Sequence, residues 1–337
     1  MTLLLLLSCA RDEPLPPRGD CNPVDDSHCM LPFPSSFFIE EGRVAFGPLS
    51  LPVNRDDVPI QPEAWNRLDG FPTLGALYAH LPGAALDGAA THRDIWRSLD
   101  ADSPTVLIDA DTGERVAHFV EREVQAPEDQ QLLILRPVAP LAPGHRYVVG
   151  IRDLAGAEAP QGFAQLRDGV EELELDLERQ RELYEELFGL LEDAGMERGD
   201  LLLAWDFVTV SEEVSLRDLE HVRDEGLAWG DPSYTIEQVD EGSCEGGDSI
   251  ARTLRGQMTV PLFLEDWEPG SLLLRDEEGL PRWEGEAQVP WIVRLPCSVL
   301  ESGEPGALVQ YGHGVLGSHE DMMSGTLARL ADQEGWV

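Results

Sequence analysis

Residues 306–337, GALVQYGHGVLGSHEDMMSGTLARLADQEGWV, carry the pattern that decides the fold class at the carboxyl end. The short apolar run 307–311 predicts a strand, and it stops at the GHG turn of residues 312–314. A helix is predicted over 319–333, because apolar residues recur there at helical spacing: Met322, Met323, Leu327, Leu330 and Ala331. Residues 335–337 then read as the opening of another strand. Strand, turn, helix and strand in this order begin a parallel α/β unit.

The charge balance excludes some classes of partner. The 337 residues include 24 basic and 64 acidic side chains, a net charge of −40, and every basic residue is Arg. A nucleic acid would meet a surface of its own sign, and so would an anionic membrane surface. The length allows about two domains. Such an acidic excess favours salty surroundings, where counterions screen the self-repulsion of the protein.

The amino terminus resembles the lipobox of bacterial lipoproteins. Five leucines at residues 3–7 precede Ser8 and Cys9, although no basic residue comes before them and the apolar run is short. The resemblance implies that Cys9 becomes the first mature residue and carries acyl chains, with residues 10–20 as a Pro-rich tether. We therefore expect residues 1–20 to be signal and tether, and the protein to be exported and lipid-anchored at the outer membrane or cell surface. The alternative is a cytoplasmic protein with an accidental Leu-rich start.

Four further cysteines allow three pairings. We favour Cys21 with Cys29, which closes a short loop, and Cys244 with Cys297, which joins two segments of one late β-rich region. Export to an oxidising compartment makes disulfides reasonable. Buried free thiols are the alternative, and no CxxC spacing indicates zinc.

Residues 21–160 are predicted to be a β-rich, sandwich-like domain. The run TVLIDADTGERVAHFVE at 105–121 alternates on both sides of DADTG and predicts a β-hairpin. QQLLILRP from residue 130 and HRYVVGIRD from residue 145 are further strands. Asp109, Asp111 and Glu114 could suggest a calcium loop, but a turn explains them better, since the spacing of an EF-hand is missing.

Residues 161–305 are predicted to be a helix plus a β-rich connecting region. Apolar residues repeat on one face of a helix over 167–196, which Gly195 and Gly199 end: Leu173, Leu177, Tyr184, Leu187, Phe188 and Leu191. LLLAWDFVTVS from residue 201 is a strand. A second helix is predicted to start near Ser215, which stands in capping-box spacing with Asp218. Strands follow at 250–264 and 289–297.

YGHGVLGS, residues 311–318, resembles the HG oxyanion-hole loop of α/β-hydrolases, in particular lipases and esterases. In that family a glycine-rich turn leaves backbone N–H groups pointing at the anion that forms on the substrate carbonyl. The resemblance implies that the Gly314 and Val315 amides supply the donor and that His313 shapes the turn. Glycine would be needed there for unusual φ angles and for close approach of the backbone to the substrate.

Three upstream stretches resemble the amino-terminal domain of secreted bacterial lipases of the virulence-factor type. They are CMLPFPSSFF from residue 29, PLAPGHRYVVGIRDLAG from residue 140 and LLLAWDFVTVS from residue 201. The expected fold class is α+β: a β-rich Ig-like sandwich with a long amphipathic helix, followed by the first strand-loop-helix unit of an α/β-hydrolase domain. Residues 306–337 would be that incomplete domain.

The sequence departs from this family in one important respect. Such hydrolases need a GxSxG nucleophile elbow, and none occurs in the 337 residues. Ser318 and Ser324 lie in or just after the HG loop and are not credible nucleophiles. We therefore expect a fragment whose nucleophile, acid and base lie beyond Val337, and which is inactive alone.

Other polar residues are predicted to be structural. A metal cluster of His313, His319, Glu320 and Asp321 lacks any HExxH-like motif. The remaining histidines are scattered singly. Asp206, beside Trp205 on an apolar strand, is predicted to be a buried, hydrogen-bonded carboxylate at a domain join.

Two function classes remain. The first is a carboxylic ester hydrolase, lipase- or lysophospholipase-like, acting on a lipid or other ester by acyl-serine chemistry. The second is a non-catalytic surface lipoprotein whose Ig-like region binds a partner, the HG turn being only a tight connection. No cofactor and no metal is expected, and no feature identifies a protein partner.

Overall fold

The computed structural model of the chain describes residues 17–230, 232–268 and 270–337. It is mixed helix and sheet, so the coarse α+β expectation is confirmed. The chain divides into two units, here called unit 1, which ends at Ser215, and unit 2, Leu216–Val337. The predicted lipidation residue Cys9 lies outside the described residues.

Unit 1 contains two three-stranded antiparallel sheets and a two-stranded pair. The sheet orders are β3-β6-β5 and β4-β7-β8, and β1 pairs with β2. Their apolar side chains share one core. The strands are β1 Ile39–Glu40, β2 Arg43–Val44, β3 Leu77–Ala79, β4 Thr105–Asp109, β5 His118–Arg122, β6 Leu133–Pro137, β7 Arg146–Arg152 and β8 Leu201–Val208.

The predicted hairpin at 105–121 is wrong, although its turn is present. The Gly113 N–H donates to the Asp109 carbonyl at 2.8 Å, and Ile108 bridges Arg115. Beyond the turn, however, β4 pairs with β7 and β5 pairs with β6, so the chain passes from one sheet to the other. Every residue of β4 is buried, whereas a hairpin with one solvated face would leave alternate residues exposed.

The helix predicted over 167–196 is shorter in the structure, and a separate short helix lies before it. α1 spans Gln161–Arg167 and α2 spans Leu175–Asp193. Gly169 follows α1 with φ +68°, and Gly195 follows α2 with φ +83°, the left-handed conformation that ends helices. Leu173 precedes α2 and is only partly buried, whereas the other predicted apolar residues form the buried stripe of the helix: Leu177, Tyr184, Leu187, Phe188 and Leu191.

Strand β8 extends unit 1 beyond the predicted domain boundary at residue 160. It pairs with β7 through the whole strand, with Val149 opposite Trp205. Trp205 and Phe207 are fully buried in the core. Residues 161–215 therefore belong with the β-rich region rather than with a separate connecting region.

Helix α3 spans Glu212–Trp229 and starts one turn earlier than predicted. The Ser211 hydroxyl accepts the Val214 N–H at 3.1 Å, so Ser211 is the capping residue. Ser215 lies inside the helix. Ser211 precedes the predicted cap by four residues, so the capping-box spacing of Ser215 and Asp218 placed the start of the helix too late.

Unit 2 contains one antiparallel sheet, in the order β11-β10-β9, with α4 and α5 packed on β11. Residues 306–337 lie in the same unit as this sheet. The elements are β9 Tyr234–Glu241, β10 Ile250–Pro261, β11 Glu286–Pro296, α4 Cys297–Ser302 and α5 Gly325–Glu334.

The carboxyl end follows the predicted order with two differences. The segment 307–309 runs parallel to 335–337, joined by N–H···O bonds from Val309 to Val337 and from Val337 to Ala307. It forms only an isolated bridge, Ala307 to Trp336, instead of a strand over 307–311. The predicted helix is a 3₁₀ helix, His319–Met323, followed by α5, because the Ser324 side chain caps α5 by accepting the Thr326 N–H.

Candidate functional site

The GHG turn lies between the parallel segment 307–309 and the 3₁₀ helix. Val315 is 97% exposed, and Gly314 is also exposed. Within the described residues, no acceptor is bonded to the Gly314 or Val315 amide. His313 Nδ1 lies 2.8 Å from the Gly314 carbonyl oxygen, within hydrogen-bond distance. The two backbone donors named by the sequence are therefore available to a ligand.

Two later residues set the course of the turn. Leu316 has a left-handed φ of +65°, whereas Gly312 and Gly314 do not have positive φ, so the expectation of unusual φ at these glycines is wrong. Gly317 donates its N–H to the Gly314 carbonyl at 3.0 Å. A Cβ atom on Gly317 would lie 2.3 Å from Asp321 Oδ2 and 3.1 Å from the Gly314 oxygen. Gly317 is thus the position where close packing requires glycine.

An apolar cavity of about 190 Å³ lies next to the turn in unit 2. Its wall includes Val309 and Tyr311 from the segment before the turn, and Leu327 and Leu330 from α5. Neither Gly314 nor Val315 lines it. The free amides and the cavity are therefore neighbours along the chain and are not one preformed site.

The two serines near the turn both serve as helix caps. Ser318 Oγ accepts the Glu320 N–H at 3.2 Å, and Ser324 Oγ accepts the Thr326 N–H at 3.3 Å. Neither hydroxyl has a hydrogen-bonded imidazole among the described residues. Both hydroxyls are thus engaged in capping.

Among the residues that the structure describes, one group of potential metal ligands comes together, and it is in unit 1. Asp109, Asp111 and His145 each offer an atom within 4.8 Å of the others. His145 Nδ1 lies 2.8 Å from Asp109 Oδ2, while Asp109 Oδ1 accepts the amide of Asp111 at 3.0 Å and that of Thr112 at 3.2 Å. Asp111 accepts the Arg146 amide. These carboxylates hold the DADTG turn against β7, which is the turn interpretation that the sequence favoured.

Asp206 is buried and hydrogen-bonded, but it lies inside unit 1 rather than at a domain join. Arg146 Nε donates to its Oδ2 at 2.7 Å, and Arg146 Nη1 donates to Glu186 of α2 at 2.8 Å. Burial raises the pKa of the Asp206 carboxyl, and the positive charge of Arg146 opposes that rise. The strand pattern predicted the burial of Asp206. The pattern did not indicate that Arg146 is the hydrogen-bond partner of Asp206.

The sequence did not predict a further series of hydrogen-bonded polar side chains in unit 1. Ser27 Oγ lies 2.6 Å from Asp25 Oδ1 and 2.8 Å from His80 Nδ1, and His80 Nε2 lies 2.8 Å from the Asp129 carbonyl. Burial raises the pKa of the Asp25 carboxyl. This series links the Cys21–Cys29 loop to the residue after β3. Its members are far apart in sequence, which is why no motif indicated it.

Both disulfides have the favoured pairing. Cys21 is bonded to Cys29 and Cys244 to Cys297, with Cα atoms 4.3 and 5.5 Å apart. The second disulfide joins the loop after β9 to the first residue of α4. It lies in unit 2, close in sequence to the end of β11.

Comparison with known proteins gives no family assignment: no family model, no curated protein and no solved structure matches this chain. None of the helices in the described ranges combines the length and apolarity that a membrane span requires. Any function assigned to the candidate site therefore has to be argued from the geometry of the site itself.

Proposed function

We propose that residues 306–337 provide the oxyanion loop of a serine carboxylic ester hydrolase of the lipase or lysophospholipase type. The observation that carries this proposal is the pair of unbonded amides, Gly314 and Val315, at a turn that directly follows a parallel-paired segment. Backbone donors that have no internal acceptor can bind a developing oxyanion without first breaking a bond.

The proposed chemistry is acyl transfer through a serine. A serine oxygen attacks the ester carbonyl, the carbonyl oxygen becomes an anion, and the two amides donate hydrogen bonds to it. No GxSxG occurs in the 337 residues, so the nucleophile, its base and the orienting acid would come from residues outside this sequence. His313, through its ring nitrogen at the Gly314 carbonyl, would help to keep the turn in place.

The finer fold assignment is part of the same proposal. We propose that the two sheets of unit 1, which share one core, form an Ig-like sandwich, and that the parallel segments around α5 begin an α/β-hydrolase domain. The paired segments 307–309 and 335–337 have free edges, and parallel sheets are stable when both of their faces are covered. Further strands and helices would therefore be needed to complete such a domain. Lipidation at Cys9 would anchor the exported protein to a membrane.

The test compares proline with alanine at the two amide positions. Proline removes the N–H, whereas alanine keeps it, and a Cβ on Gly314 would meet no atom within 4 Å. The enzyme is the polypeptide encoded by the complete genomic reading frame, assayed with p-nitrophenyl esters. Val315→Pro and Gly314→Pro should each lower kcat by about 10²-fold or more, and Val315→Ala and Gly314→Ala by much less.

Two outcomes would overturn the proposal. One is a proline variant of unchanged activity with native circular dichroism, since the amide would then have no role. The other is a reading frame that encodes no nucleophile elbow after Val337.

A further inference from the structure

Arg294, on β11 of unit 2, is a half-buried cation beside the 3₁₀ helix. Its Nη1 donates to two backbone carbonyls, Met322 at 2.9 Å and Ser324 at 3.3 Å. Its Nε is buried and, among the described residues, has no hydrogen-bond acceptor. The chain has 64 acidic residues for 24 basic ones, yet no carboxylate of the described residues lies within 4 Å of Arg294.

The electrostatic surroundings of Arg294 favour an anion. Burial lowers the pKa of its guanidinium, and the positive charge of Arg255 lowers it further. Guanidinium groups nevertheless stay protonated in proteins. A carboxylate bound at this guanidinium would form a charge-assisted hydrogen bond with it, which a neutral ligand could not do.

Arg294 lies where two cavities of unit 2 meet. One is the apolar cavity of about 190 Å³ already described. The other has a volume of about 290 Å³, a more polar wall and a second arginine, Arg329. Ile250, Arg294 and Ala328 line both cavities. The polar one also reaches Gly325, the first residue of α5, and a helix amino terminus favours negative charge.

We propose that these two cavities bind a single-chain aliphatic anion, with its charged head at Arg294 and Arg329 and its tail in the apolar cavity. Apolar cavities of about 150 Å³ already bind a benzene ring, so the tail has room. The site uses neither amide of the GHG turn and needs no nucleophile. It therefore goes beyond the proposed hydrolase function and does not depend on it.

One acidic side chain would repel the charged head of the proposed ligand. Asp248 lines the polar cavity, and its carboxylate accepts the Ser243 hydroxyl at 3.0 Å. Its negative charge would weaken the binding of an anion. Asp248→Asn should therefore bind the anion more tightly than the native chain does, which is an uncommon direction for a substitution at a binding site.

The ligand test uses the full chain, calorimetric titration and four probes at monomeric concentrations. Octanoate is expected to bind in one-to-one stoichiometry. Octanol, which lacks the charge, should bind at least about tenfold more weakly, the range expected for one charged hydrogen bond. Acetate keeps the charge but lacks the tail, and the lost burial of its methylenes should also weaken binding at least about tenfold. Octyl phosphate carries the same tail with another head, and the anion that binds more tightly shows whether the site prefers a carboxylate or a phosphate.

The variant test separates head from tail. Arg294→Gln should weaken octanoate about tenfold and leave octanol unchanged, whereas Ala331→Phe, which fills the apolar cavity, should weaken both. Arg282→Gln is the matched control, because Arg282 is paired with Glu284 and lines neither cavity. If Arg294→Gln does not fold, the probe series and Ala331→Phe still decide the question.

Three results would overturn the proposal: octanol binding as tightly as octanoate, acetate binding as tightly as octanoate, or no binding of either octyl anion. Val315→Pro distinguishes the anion-binding proposal from the hydrolase proposal. It should leave octanoate binding intact even where it abolishes ester hydrolysis, so failure of one proposal is distinguishable from failure of the other.

Discussion

The two disulfides should differ in their contribution to stability, because they close loops of different length. Cys21 and Cys29 are 8 residues apart, and Cys244 and Cys297 are 53 apart. In the chain-entropy account, a cross-link stabilises by removing conformations from the unfolded chain, and the effect grows with the logarithm of loop length. For these separations it amounts to about 2.6 and about 4.2 kcal/mol at 25 °C.

The measurement removes each disulfide by a pair of Cys→Ala substitutions, in a Cys9→Ala background so that no free thiol can exchange. Urea unfolding is followed by hydrogen exchange and mass spectrometry, because peptides from β10 and β11 report on unit 2 and peptides from β7 and β8 report on unit 1. Loss of the longer loop closure should lower the unfolding free energy of unit 2 by about 4 kcal/mol. Loss of the shorter one should lower that of unit 1 by about 2.6 kcal/mol.

Each variant is a control for the other, since the unit that keeps its disulfide should keep its protection. The reasoning is refuted if loss of the Cys21–Cys29 disulfide lowers the unfolding free energy as much as loss of the Cys244–Cys297 disulfide, or more. It is also refuted if removing Cys244 and Cys297 leaves the β10 and β11 peptides at native protection.

Three other perturbations should have measurable effects. Burial lowers the pKa of His118 below its ordinary 6.5, so unit 1 should be fully stabilised above about pH 6.5 and lose stability as the pH falls below it; His118→Gln should flatten this dependence in urea titrations. Asp206→Asn should cost about 3 kcal/mol by leaving Arg146 without its buried partner, against less than about 1 kcal/mol for Glu186→Gln, both by urea unfolding. Because the net charge is −40, added NaCl should raise the melting temperature, and a flat response would contradict self-repulsion.

Local patterns in the sequence predicted local structure well. The apolar stripe of α2 is a property of one continuous segment, so spacing alone identified its buried face. The hairpin failed because alternation shows that residues 105–109 and 118–122 are strands without showing which strands they pair with. Pairing depends on contacts between distant segments, and β4 finds its partner some forty residues later.

The same limit applies to the sites. The GHG turn was visible because its residues are adjacent in sequence. Arg294 was not, because its surroundings come from β11, the 3₁₀ helix and α5, and nothing near Arg294 in sequence indicates them. Asp206 and Arg146 are likewise separated by most of the helical region. The order of residue types along the sequence predicts loops and the buried faces of helices and strands. Which charged residues pair with each other can be read only from the tertiary structure.

The pairing of β8 with β7 has a consequence for biosynthesis. The β4-β7-β8 sheet can be no more than a two-stranded ribbon until residues 201–208 are available to fold, although β7 itself ends at Arg152. A nascent chain stalled anywhere between these points would expose the apolar side of that ribbon to chaperones or proteases. Unit 1 therefore cannot complete this sheet before β8 has been translated.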